Sequence, residues 1–266
     1  MLASTERTAY LLKADLLTAA ESKELDALLG PDDDLAQTGG DTYNDHGQCS
    51  PEHAQWKDSM NGVFRTLLRR FHRQSPSTTG TPIHVMYLDG PQLGTTRALR
   101  GCVLRQDTRS SPTTPSQHRP LVLYVANDSP VTADAIQASG LVDVVSRSAV
   151  NEALTSEWRD TPFAGAYIDL CTGTVATLLA TLECLFDRPL VHPFVLGYTL
   201  TARDPHGQPM DVRVLAVRQW LHARPGFTTG PSGETSRMQE AELLLPEVTA
   251  DRWSHQGTRT RFVVLG

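Results

Sequence analysis

Val85-Met86-Tyr87-Leu88-Asp89-Gly90 and Ala166-Tyr167-Ile168-Asp169-Leu170-Cys171-Thr172-Gly173 share one pattern: an apolar run, then an aspartate, then residues that are mostly small or polar. Each stretch is typical of a strand end. In an open α/β sheet the carboxyl ends of the parallel strands form the ligand crevice, so we expect Asp89 and Asp169 to lie at one shared edge. The alternative is that each aspartate only ends its strand and caps the next helix.

The sequence around these stretches predicts the rest of the sheet. From Ile83 onward, short apolar runs alternate with helical periodicity, which indicates βα units and a parallel sheet. Strands are predicted at 83–88, 121–126, 142–145, 164–168 and 194–200. One helix is predicted to begin near residue 95, and another to pass through Ala133 and Gln137. Three more are predicted over 148–157, 175–186 and 211–222. Residues 241–248, extended toward Trp253, and 260–265 predict a closing antiparallel hairpin.

The residues before 82 follow a different pattern. Leucines at helical spacing predict one or two amphipathic helices over about 8–29, and an acidic stretch at 32–50 predicts a loop. A further helix is predicted over about 51–74. We therefore expect an N-terminal helical extension with an acidic loop at 1–81, followed by a Rossmann-like domain at 82–266. The Ser/Thr/Pro-rich residues 105–119 predict an exposed insert within that domain.

Charge and composition limit the partners of the chain. The 266 residues include 24 Lys and Arg against 30 Asp and Glu, a net charge of −6, which argues against an autonomous nucleic-acid binder. A local basic face remains on the helix at 51–74, and it is a candidate surface for substrate binding: Arg65, Arg69, Arg70 and Arg73. The alternative is an ordinary solvated helix face.

The cysteines and the apolar runs predict the compartment. None of the four cysteines forms a CxxC pair, which suits a reducing environment. No apolar run reaches the ~20 residues that a membrane-spanning helix needs. We expect an intracellular protein of the cytoplasm or nucleus that does not enter a membrane. Arg7 among small residues is a weak sign of an organellar presequence, against which Glu6 and Asp15 count.

Other classes of site find little support. His46, Cys49 and His53 offer three ligands where a closed zinc site needs about four. The aspartates at 32–34 lack the spacing of a calcium loop, so no metal site is expected. The chain has no GxSxG, GxxxxGK[ST] or GxGxxG motif, which disfavours a hydrolase, a P-loop NTPase and a dehydrogenase.

Five βα units followed by a terminal hairpin resemble the class I S-adenosylmethionine-dependent methyltransferase superfamily over 83–266. The resemblance implies S-adenosylmethionine as cofactor, with Asp89, Gly90, Gly94 and Thr95 in the loop around its methionine part. The usual GxGxG spacing is absent from this loop. The resemblance also implies that Asp128 accepts the ribose hydroxyls, although Asp128 could equally cap a helix.

The resemblance places the methyl acceptor at the end of the fourth strand. There Asp169 would orient the acceptor or act as a base, assisted by Thr172, unless both only cap the next helix. The Asp-Pro-Pro-Tyr or Asn-Pro-Pro-Tyr tetrad of many nitrogen methyltransferases is missing. The expected function is methylation of RNA or protein. The alternative is an inactive methyltransferase-like subunit that binds a protein partner in a larger protein or ribonucleoprotein assembly.

Overall fold

A computed structural model describes residues 51–72, 81–100, 120–170, 174–201, 208–224, 238–240, 254–255 and 258–265. The first part of the chain gives α1 (Pro51–His72), β1 (Ile83–Tyr87), α2 (Gly94–Arg100), β2 (Leu121–Ala126), α3 (Pro130–Ala138), β3 (Val144–Ser146) and α4 (Val150–Thr155). The second part gives β4 (Phe163–Asp169), α5 (Val175–Phe186), β5 (Leu190–Leu200), α6 (Met210–His222), β6 (Met238–Glu240), β7 (Ser254–His255) and β8 (Thr258–Leu265). The helices predicted before 30, the acidic loop, the insert at 105–119 and the strand at 241–248 lie outside the described residues.

The eight strands form one sheet in the order β3-β2-β1-β4-β5-β8-β6, and β7 pairs with β8. Strands β1 to β5 are parallel, whereas β8 runs antiparallel to β5, β6 and β7. This order confirms the predicted fold class, an α/β Rossmann-like sheet of methyltransferase type that ends in antiparallel strands. Its central strands are nearly all apolar because helices cover both faces.

Within the described part of the chain, three helices cover each face of the sheet. Helices α1, α2 and α3 bury one hydrophobic cluster, which includes Phe64, Leu99 and Ile136. Helices α4, α5 and α6 bury the other, which includes Leu154 and Leu182. Because side chains alternate along a strand, successive residues of β1 and β5, and of β4 from Gly165 onward, face opposite clusters. The faces are called here the α1 face and the α5 face.

Helix α1 runs antiparallel to β4. Near its start, the Lys57 ammonium lies 2.9 Å from the Asp169 carboxylate, at the carboxyl end of β4. At its end, His72 Nε2 is 3.1 Å from the carbonyl oxygen of Ala164, near the start of β4. In between, the helix packs closely because β4 has a glycine there: a Cβ atom on Gly165 would lie 2.7 Å from Leu68 Cδ2. Helix α1 is therefore an integral part of the layer that covers the α1 face.

Strand β5 is longer than predicted, and β6 is a strand that the sequence did not predict. Strand β5 begins at Leu190, four residues before the predicted start, and includes the cis peptide bond between His192 and Pro193. Strand β6 is formed by Met238, Gln239 and Glu240, which pair with β8 although two of them are polar. Both differences arise from pairing with neighbouring strands, which local sequence patterns do not report.

Close packing between β5 and β8 gives a test of the fold. A Cβ atom on Gly197 would lie 2.7 Å from Phe262 Cδ1 and 2.9 Å from Tyr167 Cδ2. We expect Gly197→Ala to lower the free energy of unfolding by about 1–3 kcal/mol, since these rings have to move. The matched control is Gly62→Ala, whose Cβ would meet nothing within 4 Å on α1. This control should raise stability by roughly 0.5–1 kcal/mol in urea unfolding. Equal effects of the two substitutions would contradict the packing described.

Two buried tyrosines make stability sensitive to high pH. The Tyr87 hydroxyl lies 2.9 Å from Thr96 Oγ1, and the Tyr167 hydroxyl lies 3.3 Å from Thr199 Oγ1. Burial raises the pKa of both phenols far above the usual value. Each folded phenol therefore stays protonated after its unfolded counterpart has ionised, so stability is lost as pH rises above about 10.

The pH dependence can be measured by urea unfolding between pH 8 and 11. The wild-type free energy of unfolding should fall above about pH 10, by up to about 1.4 kcal/mol per pH unit for each phenol. Tyr167→Phe should reduce that slope by the contribution of one phenol, up to about 1.4 kcal/mol per pH unit. An unchanged slope in this variant would mean that Tyr167 ionises in the folded protein as it does in the unfolded chain.

Candidate functional site

Asp89 and Asp169 lie at the same edge of the sheet. Strands β1 and β4 pair in parallel with Tyr87 opposite Tyr167, so each aspartate stands two residues beyond a paired tyrosine. The Leu88 amide donates to the Tyr167 carbonyl at 3.1 Å, which joins the two chains close to that edge. Alternation from the buried tyrosines directs both aspartates to the α1 face. The candidate site is therefore the part of this edge that faces the start of α1, and it is called here the crevice.

The Asp89 carboxylate is fully engaged by its own loop. Oδ2 accepts hydrogen bonds from the Thr96 amide at 2.9 Å and the Thr96 hydroxyl at 2.8 Å, and Oδ1 accepts from the Gly90 amide at 3.1 Å. Burial raises the pKa of Asp89, and these donors, which favour the ionised form, counteract part of that rise. Asp89 thus ties the end of β1 to the first turn of α2.

The loop from Gly90 to Gly94 is a tight turn. The Leu93 amide donates to the Gly90 carbonyl at 3.0 Å, and Leu93 has a φ of 54°. This left-handed conformation costs a residue with a side chain roughly 1–2 kcal/mol, which the buried position of Leu93 offsets. Thr95 then donates its hydroxyl to Asn61 Oδ1 on α1 at 3.0 Å. The loop is therefore held from both the sheet and α1.

Asp169 is held from α1. Its carboxylate forms the ion pair with Lys57, and the two side chains are only 15% and 19% exposed. Asp169 does not take the cap position of α5, because Thr174 caps that helix and accepts from the Thr177 amide at 3.2 Å. Its companion in the prediction, Thr172, lies outside the described residues. The carboxylate at the predicted acceptor position is therefore charge-balanced.

The end of β2 supplies a carboxylate that faces solvent. Asp128 is exposed, and within the described ranges no residue pairs with its carboxylate. The cap of α3 is Ser129, whose hydroxyl oxygen accepts from the Thr132 amide at 3.4 Å. Asn127 braces the turn by donating from Nδ2 to the Asp89 carbonyl at 3.3 Å and accepting from the Ser129 amide at 3.0 Å. Asp128 is thus not a cap.

The residues at this edge fit an adenosyl cofactor. Asp128 offers the acceptor chemistry that ribose hydroxyls need, and the turn at 90–94 presents backbone close to the end of β1. The Thr201 hydroxyl, just beyond β5, is buried and makes no hydrogen bond with any described residue. Such a buried polar atom marks a place where a ligand or a water molecule is expected. The donor set thus suits a polar organic ligand.

Neither a metal-binding cluster nor a helix suited to a membrane occurs among the described residues. Among them, no group of three or more His, Cys, Asp and Glu side chains could hold a metal ion. None of the helices in the described part of the chain has the length and apolar character needed to cross a bilayer.

The predicted basic face lies away from the two aspartates. Arg69 and Arg70 are exposed in the last turn of α1, about 20 Å along the helix from Lys57 at ~1.5 Å per residue. Arg65 is nearer, about 12 Å from Lys57 on the same measure, and is partly buried. Arg73 lies outside the described residues. The arginines thus line the flank of the domain, whereas the crevice lies at the other end of α1.

Three residues of the candidate site were not among the predicted ones: Lys57, Asn61 and Asn127. Lys57 and Asn61 are four residues apart on the predicted helix and hence on one face, beside the apolar stripe. That spacing could have indicated a polar seam facing the sheet edge. Their partners, Asp169 and Thr95, are far away in sequence, so no local pattern could name them.

Loss of the Asp89 carboxylate should be costly. Asp89→Ala leaves the Thr96 amide, the Thr96 hydroxyl and the Gly90 amide without their acceptor, so we expect a loss of about 2–4 kcal/mol in the free energy of unfolding. Asp160→Ala, which removes an exposed carboxylate before β4, should change it by less than about 0.5 kcal/mol. Chemical denaturation checks both, and a mild effect of Asp89→Ala would mean that water replaces the carboxylate.

No protein-family model matches the sequence, and no curated protein matches it. The solved structures to which the chain is similar include a magnesium protoporphyrin IX methyltransferase (ChlM) from Synechocystis PCC 6803 with bound SAM, at 8% identity and a TM-score of 0.47, covering 84% of this chain and 89% of that chain. The plantazolicin methyltransferase BpumL in complex with SAH is 10% identical, with a TM-score of 0.46 and 98% of each chain covered. A fibrillarin/Nop5p complex is 9% identical, with a TM-score of 0.44, 79% of this chain and 84% of that chain. The function is therefore inferred from this chain's own residues.

Proposed function

We propose that the chain is an S-adenosylmethionine-dependent methyltransferase that acts on RNA or protein. The observation that carries this proposal is the placement of Asp128, Asp89 and Asp169 at the carboxyl ends of three neighbouring parallel strands, β2, β1 and β4. Ligands of open α/β sheets bind at this edge. The three carboxylates also have three different environments: exposed, saturated with hydrogen bonds and ion-paired.

The cofactor-binding roles follow from these environments. Asp128, which neither caps a helix nor pairs with a described residue, accepts the ribose hydroxyls. Asp89 acts mainly through the turn, since its carboxylate accepts three hydrogen bonds from its own loop. It fixes the turn so that the backbone of Gly90 and Gly94 borders the methionine part. Thr95 borders the same part of the cofactor, and its hydroxyl is donated to Asn61 on α1.

The acceptor-side roles fall to Asp169 and Thr172. When bound, the cofactor supplies an electrophilic methyl group on a sulfonium centre. The protein's part is to hold the acceptor atom in line with that group. Positioning of this kind can lower the activation free energy by several kcal/mol. Asp169 is suited to orientation because Lys57 fixes its carboxylate.

The proposed acceptor is a macromolecule. Arg69 and Arg70 are exposed on α1, and Arg97 is exposed on the adjacent α2. These side chains suit the backbone phosphates of RNA or the acidic side chains of a protein. Arg65 and Arg73 complete the proposed surface. An intracellular location would provide both substrates.

A second candidate is a methyltransferase-like subunit without catalysis that binds a protein partner. The observation in its favour is that two of the three carboxylates at the edge are engaged by the chain itself, Asp89 by its loop and Asp169 by Lys57. In such a subunit, most carboxylates at the sheet edge would be bound by residues of the chain itself. It would bind the cofactor weakly, or bind it without methyl transfer.

Isothermal titration calorimetry with S-adenosylmethionine tests cofactor binding. We expect the wild type to bind and Asp128→Ala to bind at least about tenfold more weakly, a loss of about 1.4 kcal/mol, with unchanged stability because Asp128 is exposed. Asp160→Ala removes the same charge near the opposite end of β4 and should bind as the wild type does. Absence of binding by the wild type would contradict the proposal.

Methyl transfer separates the two candidates. Purified protein would be incubated with methyl-labelled S-adenosylmethionine and total RNA, and in parallel with a protein extract. The proposed enzyme labels one of these pools, and Asp169→Asn lowers the labelling at least about tenfold. Binding of the cofactor without labelling of either pool would favour the non-catalytic subunit.

A further inference from the structure

Lys57 lies on the acceptor side of the crevice, and no sequence motif predicted it there. Lys57 Nζ lies 2.9 Å from Asp169 Oδ2, and both side chains are more than four-fifths buried. One turn further along α1, Asn61 accepts from the Thr95 hydroxyl. The start of α1 is thus joined to both halves of the crevice, to the acceptor strand by charge and to the cofactor loop by a hydrogen bond.

Among the described residues at this edge, no carboxylate is left without a partner beside the proposed acceptor position. Asp89 is saturated by the donors of Thr96 and Gly90. Asp128 lies beyond β1, on the far side of it from β4. Asp169 is balanced by an ammonium group at contact distance. A protonated amine that entered next to Asp169 would therefore meet a second positive charge there, which disfavours it.

We propose that Lys57 is the residue that sets acceptor specificity: by neutralising Asp169 it selects an acceptor that enters uncharged, such as a hydroxyl group, over an amine that enters protonated. This inference rests on the proposed function. In the transfer, the oxygen forms a bond to the methyl carbon while the carbon–sulfur bond breaks and leaves its electron pair on sulfur. The hydroxyl proton passes to water. A hydroxyl group is uncharged, so it needs no unpaired carboxylate to balance it. It can donate a hydrogen bond to the lysine-paired Asp169.

The inference can be tested without knowing the acceptor, because sinefungin carries a protonated amine in place of the methylated sulfonium. Calorimetry would give the dissociation constants of sinefungin and of S-adenosylhomocysteine, which has no charge at that position. The ratio of the two constants measures how strongly the acceptor side favours or disfavours a positive charge on the ligand. It leaves out effects that are common to both ligands, such as a general change in stability or in adenosine binding.

The wild type should bind sinefungin no more tightly than S-adenosylhomocysteine. Lys57→Met removes the ammonium and leaves the Asp169 carboxylate to meet the ligand's amine, so the ratio should shift toward sinefungin at least about tenfold. Lys57→Arg keeps the charge and should restore the wild-type ratio. The double variant with Lys57→Met and Asp169→Asn should lose the shift, because the carboxylate that attracts the amine is gone.

A Lys57→Met ratio equal to that of the wild type, or a wild type that already prefers sinefungin tenfold, would overturn the role of Lys57 while leaving the proposed function standing. If the wild type bound neither compound, the proposed function would fall and this inference with it. Should Lys57→Met fail to fold, Lys57→Gln gives the same comparison with a polar side chain. In labelling experiments the product of the wild type should carry its methyl group on an atom that is uncharged before transfer, such as a hydroxyl oxygen, and a methylated basic amine would contradict the inference.

Discussion

The packing of α1 along β4 is the contact on which the rest of the site depends. Gly165 lets Leu68 reach the sheet, and the helix then runs antiparallel to the strand from His72 at one end to Lys57 at the other. A helix fixed at both ends delivers a side chain to the sheet edge with little freedom. The ammonium group at Asp169 is thus a result of core packing as much as of charge attraction.

The turn after β1 shows how a glycine-poor loop can keep the geometry of its site. Only Gly90 and Gly94 are available, and Leu93 takes the left-handed position that glycine would occupy more easily. Burial of Leu93 and the three hydrogen bonds to Asp89 hold this conformation. A motif defined by glycine spacing is therefore an incomplete description of the loop, because internal hydrogen bonds to an acidic side chain can do the same work.

The fold was largely predictable from the sequence, and the site only in part. Residues 121–126 and 175–186 were predicted with the bounds they have, because a buried strand and an amphipathic helix are local patterns. The shared edge of Asp89 and Asp169 followed from strand order. Lys57 as a partner of Asp169 could not be predicted, since their contact joins residues 112 positions apart and depends on the direction of α1.

Helix α1 also changes the meaning of the boundary predicted at residue 82. That boundary stays a prediction, yet a fragment starting there would lack the buried side chains of Trp56, Phe64 and Leu67 that cover the α1 face. It would expose a contiguous apolar surface of the kind that drives association. Exchanging α1 as a unit would therefore also exchange buried side chains of the core and the ammonium group at Asp169.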